Sequence, residues 1–105
     1  MRDVVITDTA KVVITDTAKE DIEYIASFLQ TNYSNKTKID FLVKLSDKLL
    51  LIEAMPFMYA ASINNPKVRR YVIHKNVVCF YEVSDTLIYI LSVVDSRINP
   101  DSSRF

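Results

Sequence analysis

The sequence predicts an α+β domain in which an N-terminal strand and an antiparallel helix hairpin pack on a three- to four-stranded antiparallel sheet. The second half predicts the sheet, because it contains three short runs rich in Val, Ile, Tyr and Phe, each separated from the next by two residues. The first half predicts the hairpin, because apolar residues recur there at helical spacing on both sides of a short polar break. With 105 residues, the chain is long enough for a single domain, residues 1–105, with its own hydrophobic core.

The composition excludes several classes of function. The chain contains no Gly, which excludes a Gly-rich phosphate loop, and its zero net charge gives no overall attraction to nucleic acid. The single cysteine, Cys79, cannot form a disulfide within the chain, so a reducing, cytoplasmic location is expected. No apolar run is long enough to span a membrane, and the first residues do not resemble a signal peptide. We therefore expect no cofactor, no metal site and no membrane contact.

The N-terminus contains an identical tandem repeat. Residues 4–11 read VVITDTAK, and residues 12–19 repeat the same eight letters. Because only the second copy runs directly into the first predicted helix, we expect Lys11–Thr15 to form the first strand. Residues 1–11 are then a duplicated N-terminal extension, which is interpreted as a ragged tail, an extension of the strand, or an arm that pairs with another chain.

Two amphipathic helices follow the first strand. The first is predicted at about Ala18–Asn32, since Thr17 and Glu20 fit a capping box and apolar residues follow at intervals of three and four. The second is predicted at about Lys36–Ala54, with Asn35 as its cap and a Pro just beyond its end. The short break between them favours an antiparallel hairpin. The apolar stripe of the second helix is assigned to Ile39, Leu42, Leu45, Leu49 and Ile52, widened by Phe41, Leu50 and Leu51.

The three remaining runs, Val68–His74, Val77–Val83 and Thr86–Val94, predict an antiparallel meander. Asn76 is expected at positive φ in the tight turn between the first two strands. Both faces of the meander are apolar in its middle. One face must therefore receive the helix hairpin, and the other is expected to expose an apolar patch for a partner unless something covers it.

A basic stretch opens the meander. Residues 66–76 contain four bases and no acid, which suggests a contact with a polyanion or with an acidic protein. A solvated strand edge that its charges protect from aggregation is the alternative. The bases are Lys67, Arg69, Arg70 and Lys75. Arg69 and Arg70 must point to opposite faces of their strand, and one of them is expected to pair with an acid on the helix hairpin.

Three other residues, Asp95, Arg97 and His74, have both a structural and a functional interpretation, whereas Cys79 has a structural one. Asp95 and Arg97 fall on one side of an extended chain, so either they pair with each other or Arg97 faces a target. His74, the single histidine, is either a half-buried strand residue or a general base. Cys79 lies between apolar residues and is interpreted as a buried core thiol.

Four segments of the chain, taken together, point to one known family. They are ITDTAKEDIEYIASFL in the first strand and helix, Pro56 after the second helix, VRRYVIHKNVVCFYEV with its Arg pair and Tyr81, and VVDSRINP at the end of the meander. In this order and spacing they resemble the RelE/ParE superfamily, the toxins of bacterial type II toxin–antitoxin modules. The resemblance covers nearly the whole chain from Val12, and it implies the element order β-α-α-β-β-β.

The superfamily divides by target, and the resemblance leaves two activities to consider. RelE-like members cut messenger RNA on the ribosome with basic side chains and an acid–base residue near the C-terminus, whereas ParE-like members inhibit DNA gyrase. The catalytic residues of a ribonuclease would be Arg69, Arg70, His74 and Arg97. However, Val77–Phe80 carries no charge where nuclease relatives have a further Arg, and residues 101–105 offer neither Tyr nor His. The chain is therefore predicted to lie closer to the ParE side.

The predicted function is that of a toxin of plasmid-stabilisation type, which inhibits gyrase by protein contact and is neutralised by a cognate antitoxin. The alternatives are a ribosome-dependent mRNA endoribonuclease with a reduced site, or an inactive relative that serves as a binding module. The expected partners are the antitoxin and DNA gyrase, or the ribosome and mRNA, and a homodimer is a further option. The residues predicted to bind the target or the antitoxin are Lys67, Arg69, Arg70, Lys75, Asp95 and Arg97.

Overall fold

The computed structural model describes residues 11–98 and confirms the predicted α+β fold. One short strand is followed by two helices and then by three strands, as the sequence predicts. The first strand begins at Lys11 and uses the second copy of the repeat, while residues 1–10 of the duplicated extension lie outside the described residues. The elements are β1 (Lys11–Ile14), α1 (Asp16–Asn32), α2 (Asn35–Ala54), β2 (Val68–His74), β3 (Val77–Ser84) and β4 (Leu87–Asp95).

The four strands form one mixed sheet in the order β1-β4-β3-β2. The predicted meander β2-β3-β4 is antiparallel, but β1 lies parallel to β4, with Lys11 opposite Leu87 and Ile14 opposite Ile90. The expectation of an all-antiparallel sheet is therefore wrong for this one pair. The helix hairpin returns the chain to the end of the sheet where β1 began, so β2 runs in the same direction as β1. Strand β3 then runs in the opposite direction, and β4 runs in the direction of β1 again.

The side chains that cap both helices differ from those predicted, and Ser34 rather than Asn35 caps α2. Helix α1 begins at Asp16, two residues before the expected start, because Thr15 caps it and the predicted Thr17–Glu20 capping box does not form. The Thr15 hydroxyl accepts a hydrogen bond from the Ala18 N–H at 3.2 Å and donates to the Ile90 carbonyl oxygen at 2.7 Å. The same side chain therefore starts the helix and holds that start against β4.

The helix hairpin covers one face of the sheet and forms the main core with it. The core residues from the hairpin are Ala18, Ile25 and Leu29 in α1 and Phe41, Leu45 and Ile52 in α2. The sheet contributes Tyr71, Ile73, Val77, Cys79, Tyr81, Ile88, Ile90 and Val93. Helix α1 is further fixed to β4 by Asp21, whose carboxylate accepts hydrogen bonds from the Ser92 hydroxyl at 2.8 Å and the Val93 N–H at 3.0 Å.

Among residues 11–98, exposed large apolar side chains lie mainly on α2 and in the segment that follows it, and few lie on the sheet. The predicted stripe of α2 is partly wrong, because Ile39 and Leu42 are 48% and 38% exposed while Phe41 occupies the core. On the second face of the sheet, Val68, Phe80 and Val94 form a small buried cluster. The predicted open apolar patch is therefore not found at these three residues, although Val72 in β2 is 49% exposed. Neither helix within residues 11–98 is long and apolar enough to cross a membrane.

One turn of the meander also departs from the prediction. Within residues 11–98, the non-Gly residue with positive φ is Asp85, at 49°, in the turn between β3 and β4, and Asn76 does not adopt this conformation. The register between β2 and β3 shifts at Val72/His74, and such a bulge changes the local twist before the turn. Asn76 is held instead by Ser96, whose N–H donates to the Asn76 carbonyl oxygen at 2.8 Å.

Candidate functional site

A cavity of about 220 Å³ opens between the N-terminal half of α2 and the turn that joins β2 to β3. It brings together residues from both helices, from β2 and β3, and from the segment after β4. Its lining residues are Leu29, Thr37, Asp40, Phe41, Lys44, Ile73, His74, Val77 and Arg97. Two of the sequence-predicted site residues, His74 and Arg97, therefore lie in one site.

Arg97 reaches this cavity while it is bound to Asp95. Its Nε and Nη2 atoms donate to the two Asp95 carboxylate oxygens at 3.0 and 2.6 Å, and its backbone N–H donates to Oδ1 at 2.8 Å. The Asp95 side chain is fully buried, and the guanidinium also lies 5.5 Å from the centre of the Tyr33 ring. The bond to Asp95 raises the pKa of Arg97. Of the two interpretations, pairing with Asp95 is confirmed, and contact with a target stays a prediction.

His74 is half-buried at the end of β2, as its structural interpretation expects. Its Nδ1 atom accepts a long hydrogen bond, 3.4 Å, from the Asn76 N–H, which leaves Nε2 to carry the proton of the neutral ring. Burial is the main cause that lowers the pKa of His74, and the positive charges of Lys44, Arg97 and Lys75 lower it further, while Asp95 acts in the opposite direction. The imidazole is therefore neutral at pH 7 among positive charges.

The predicted basic stretch lies elsewhere and does not form one site. The Arg69 Nη1 atom donates to the Tyr59 carbonyl oxygen at 2.6 Å, and the guanidinium lies 5.1 Å from the centre of the Phe57 ring. Arg69 thus binds the loop before β2, and the expected pairing with an acid on the helix hairpin is wrong for it. Arg70 is exposed on the opposite face. Its backbone N–H donates to the Ala60 carbonyl oxygen at 3.1 Å, but within residues 11–98 its guanidinium makes no hydrogen bond or ion pair.

A second, more open cavity of about 380 Å³ lies beside Arg69. It is lined by Phe57, Pro66, Lys67, Arg69, Glu82 and Val83. Its rim continues into the loop after α2, where Phe57, Met58 and Ile63 are 66%, 61% and 99% exposed. The loop contains partly exposed Tyr59 as well, stacked on Tyr71 with the ring centres 3.9 Å apart. This end of the molecule combines basic and apolar surface.

The four residues proposed as a ribonuclease site are therefore divided between three places. His74 and Arg97 share the first cavity, Arg69 lines the second, and Arg70 faces away from both. Sequence reasoning missed Lys44, which it assigned to the solvated face of α2. Helical spacing could have indicated that Lys44 and Thr37 line the same cavity. Residue 44 follows residue 37 by two helical turns, which places both on the same side of α2.

The described residues offer no strong nucleophile and no group of metal ligands. Cys79 is buried as predicted, and burial raises the pKa of its thiol to about 12, so it stays protonated. Tyr81 is also buried, its hydroxyl donates to the Pro56 carbonyl oxygen at 2.7 Å, and burial raises its pKa to about 12. Within residues 11–98 no three His, Cys, Asp or Glu side chains cluster as they would around a metal ion.

A family model identifies the family of this chain, and solved structures share its fold. Residues 12–100 match the family model described as the ParE toxin of the type II toxin–antitoxin system, parDE. A chromosomal ParDE toxin–antitoxin system from P. aeruginosa contains a similar chain, with a TM-score of 0.73 at 12% identity over 82% of this chain and 95% of that one. No curated protein sequence matches.

Two other solved structures share the fold at low identity. The YoeB dimer from Staphylococcus aureus gives a TM-score of 0.58 at 19% identity over 81% of this chain and 94% of that one. The E. coli DinJ-YafQ toxin–antitoxin complex gives a TM-score of 0.59 at 9% identity over 86% of this chain and 96% of that one. At these identities the likeness concerns the fold alone.

Proposed function

Since this chain belongs to the ParE toxin family of type II toxin–antitoxin systems, we propose that it is a toxin that inhibits DNA gyrase through protein–protein contact. The match of residues 12–100 to the family model is the observation that carries the proposal. We further propose that it acts in the cytoplasm and is neutralised by a cognate antitoxin. The similar solved chains from toxin–antitoxin complexes support a partner of this kind.

The distribution of the cationic side chains supports contact rather than RNA cleavage. Cleavage requires a base for the 2′-hydroxyl, cations for the phosphate and an acid for the leaving oxygen, all within reach of one another. Here Arg69 and Arg70 lie on opposite faces of β2, and Arg97 is already bound to a buried carboxylate. Fixed cations and exposed apolar side chains suit a protein interface better than a scissile phosphate.

The surface beside Arg69 is the part of the described structure best suited to gyrase. The exposed side chains of Phe57, Met58 and Ile63 provide apolar contact area, and Lys67 provides charge at its edge. Buried aromatic anchors dominate the energy of most protein interfaces. Phe57, with Arg69 against its ring, is therefore proposed as an anchor of this surface. The predicted homodimer stays a prediction, which light scattering on the purified protein tests.

One observation favours ribonuclease activity as a second candidate. The cavity that holds His74 and Arg97 also contains Lys44, so a neutral imidazole lies near two cationic side chains. A neutral imidazole is the form of His that accepts a proton. A reduced ribonuclease site would therefore consist of His74 as base with Lys44 and Arg97 as phosphate-binding groups.

Two assays on the purified protein, run in parallel, separate these functions. The first measures DNA supercoiling by gyrase, and the second measures ribosome-dependent cleavage of mRNA. Gyrase inhibition without cleavage supports the proposal, and inhibition should weaken about tenfold or more in Phe57→Ser but not in Tyr24→Ser, an exposed aromatic residue on α1. Cleavage that is lost in Lys44→Ala supports the second candidate, whereas inactivity in both assays and in cells indicates a binding module.

A further inference from the structure

The cavity beside α2 combines a polar rim, which includes two cationic side chains, with an apolar floor. Its rim is formed by Lys44 from α2, His74 from β2 and Arg97 from the segment after β4, with the Thr37 hydroxyl nearby. Leu29, Phe41, Ile73 and Val77 form its floor. Such a surface complements a ligand in which an anionic group is attached to apolar groups, because the anionic group can contact the cations of the rim while the apolar groups pack on the floor.

The charges around the cavity leave positive potential to be neutralised. Asp40, the acid that lines the cavity, already accepts a hydrogen bond from the Lys36 Nζ at 3.0 Å, and Asp95 is bound to Arg97. The Lys44 ammonium group makes no hydrogen bond or ion pair within residues 11–98, and Lys75 adds charge from the adjacent turn. Burial is the largest cause that lowers the pKa of His74, and the charges of Lys44, Arg97 and Lys75 lower it further against the opposite effect of Asp95, which is consistent with this positive potential.

The size and lining of the cavity favour a side chain over a nucleotide. Its volume of about 220 Å³ is smaller than the roughly 300–1,000 Å³ typical of pockets for drug-sized ligands. A nucleotide base would also need an aromatic face on which to stack. Phe41 is buried in the core, and one face of Tyr33 is taken by Arg97. A peptide that carries a carboxylate side chain next to an apolar one needs neither a larger cavity nor an aromatic face.

We propose that this cavity binds a peptide segment of a partner protein, in which a Glu or Asp carboxylate contacts Lys44 and Arg97 and an adjacent apolar side chain covers the floor. The identity of that partner as the antitoxin rests on the proposed function, whereas the chemistry of the site does not. Toxin neutralisation would then include an acidic anchor held by α2 and the end of β4, away from the surface proposed for gyrase.

The single histidine of the chain makes the cavity directly observable by NMR. The capped tetrapeptide LELF, its neutral counterpart LQLF and adenosine monophosphate are titrated separately into the purified protein at pH 7. LELF should produce a saturable shift of the His74 imidazole signals and raise the pKa of His74, because a nearby carboxylate favours the imidazolium. LQLF should bind about tenfold more weakly, since it lacks the charge that Lys44 and Arg97 recognise.

A matched pair of variants tests the assignment to Lys44. Lys44→Gln should weaken LELF binding about tenfold, while Lys19→Gln, which removes an exposed charge from α1, should leave it unchanged. Amide spectra confirm that both variants remain folded. The proposal is overturned if LQLF binds as tightly as LELF, if adenosine monophosphate binds more tightly than either peptide, or if LELF gives no saturable shift. None of these readouts depends on gyrase or toxicity, so the two proposals fail separately.

Discussion

Replacing Arg97 with Leu should destabilise the fold far more than the loss of a surface arginine does. The Asp95 side chain is fully buried, and within residues 11–98 its carboxylate accepts three hydrogen bonds, all from Arg97. The substitution removes the two side-chain bonds and the guanidinium charge, and only the backbone bond remains. A buried carboxylate is then left without a counter-charge in a medium that solvates it poorly.

The size of the effect follows from the burial of the pair. Removing one partner of a buried ion pair costs about 3–5 kcal/mol. Because the Arg97 side chain is 24% exposed, water can partly replace it, and the expected loss lies at the lower end, about 3 kcal/mol. A domain of this size has a free energy of unfolding of about 5–15 kcal/mol, so the variant loses a large share of it. Its thermal midpoint should fall by roughly 12–20 °C.

Urea unfolding at pH 7, followed by circular dichroism, measures this loss. Arg70→Leu is the matched control, because Arg70 is exposed on the opposite face of the sheet and should change stability by no more than about 0.5 kcal/mol. The double variant Asp95→Leu/Arg97→Leu should recover much of the loss, since it removes the unpaired charge as well. A loss below about 1 kcal/mol in Arg97→Leu, or no recovery in the double variant, would refute the reasoning.

The same unfolding assay tests three other contacts. Tyr81→Phe should cost about 1 kcal/mol, because it leaves the Pro56 carbonyl oxygen without its hydrogen-bond donor. Thr15→Ala should cost about 1–2 kcal/mol, because it removes both the cap of α1 and a bond to β4. His74 should make stability fall as pH drops. The pKa of His74 in the folded protein lies below the unfolded value of 6.5, so the unfolded chain binds more protons between these two values. The stability contributed by the neutral imidazole is therefore present above about pH 6.5 and is lost as pH falls through the folded pKa.

Each of these expectations has a control and a contradicting result. Thr15→Ser keeps the hydroxyl and should remain within about 0.5 kcal/mol of the wild type, so equal losses in the Ser and Ala variants would exclude the capping role. His74→Gln should lose stability less steeply than the wild type between pH 7.5 and 5.5, and an unchanged slope would contradict the lowered pKa. A Tyr81→Phe variant as stable as the wild type would show that its hydrogen bond contributes nothing net.

The order of the elements was predictable because each depends on a local pattern. Period-two and period-3.6 spacing of apolar residues reports burial on one face of a strand or helix, and Pro56 and the polar break at residues 33–35 mark the ends of the helices. The direction of β1 relative to β4 was not predictable in this way. It depends on a pairing between residues about 76 positions apart, such as Val12 with Ile88, and no local spacing encodes such a pairing.

The site was predicted less well because side-chain partners depend on tertiary packing. Lys44 was assigned to the solvated face of α2, although the position of the β2–β3 turn makes it line a cavity. Arg69 was expected to pair with an acid, but the loop before β2 brings the Tyr59 carbonyl oxygen within 2.6 Å. The pairing of Asp95 with Arg97 was predictable as one of two outcomes, since a spacing of two residues places both side chains on one side of the chain.

These contacts decide how mutations of the family's framing arginines should be interpreted. Arg69 and Arg97 are the residues that the family resemblance matches to catalytic cations, yet here each holds a structural bond, to Tyr59 and to Asp95. Reduced activity in Arg97→Ala would therefore be expected from the lost stability, whether the protein contacts gyrase or cleaves RNA. Lys44 is the discriminating position, because it is exposed, lines the same cavity and has a side chain that makes no hydrogen bond or ion pair within residues 11–98. Cleavage that disappears in a fully folded Lys44→Ala variant would assign catalysis to this cavity, whereas antitoxin affinity that falls while gyrase inhibition persists would assign it to neutralisation.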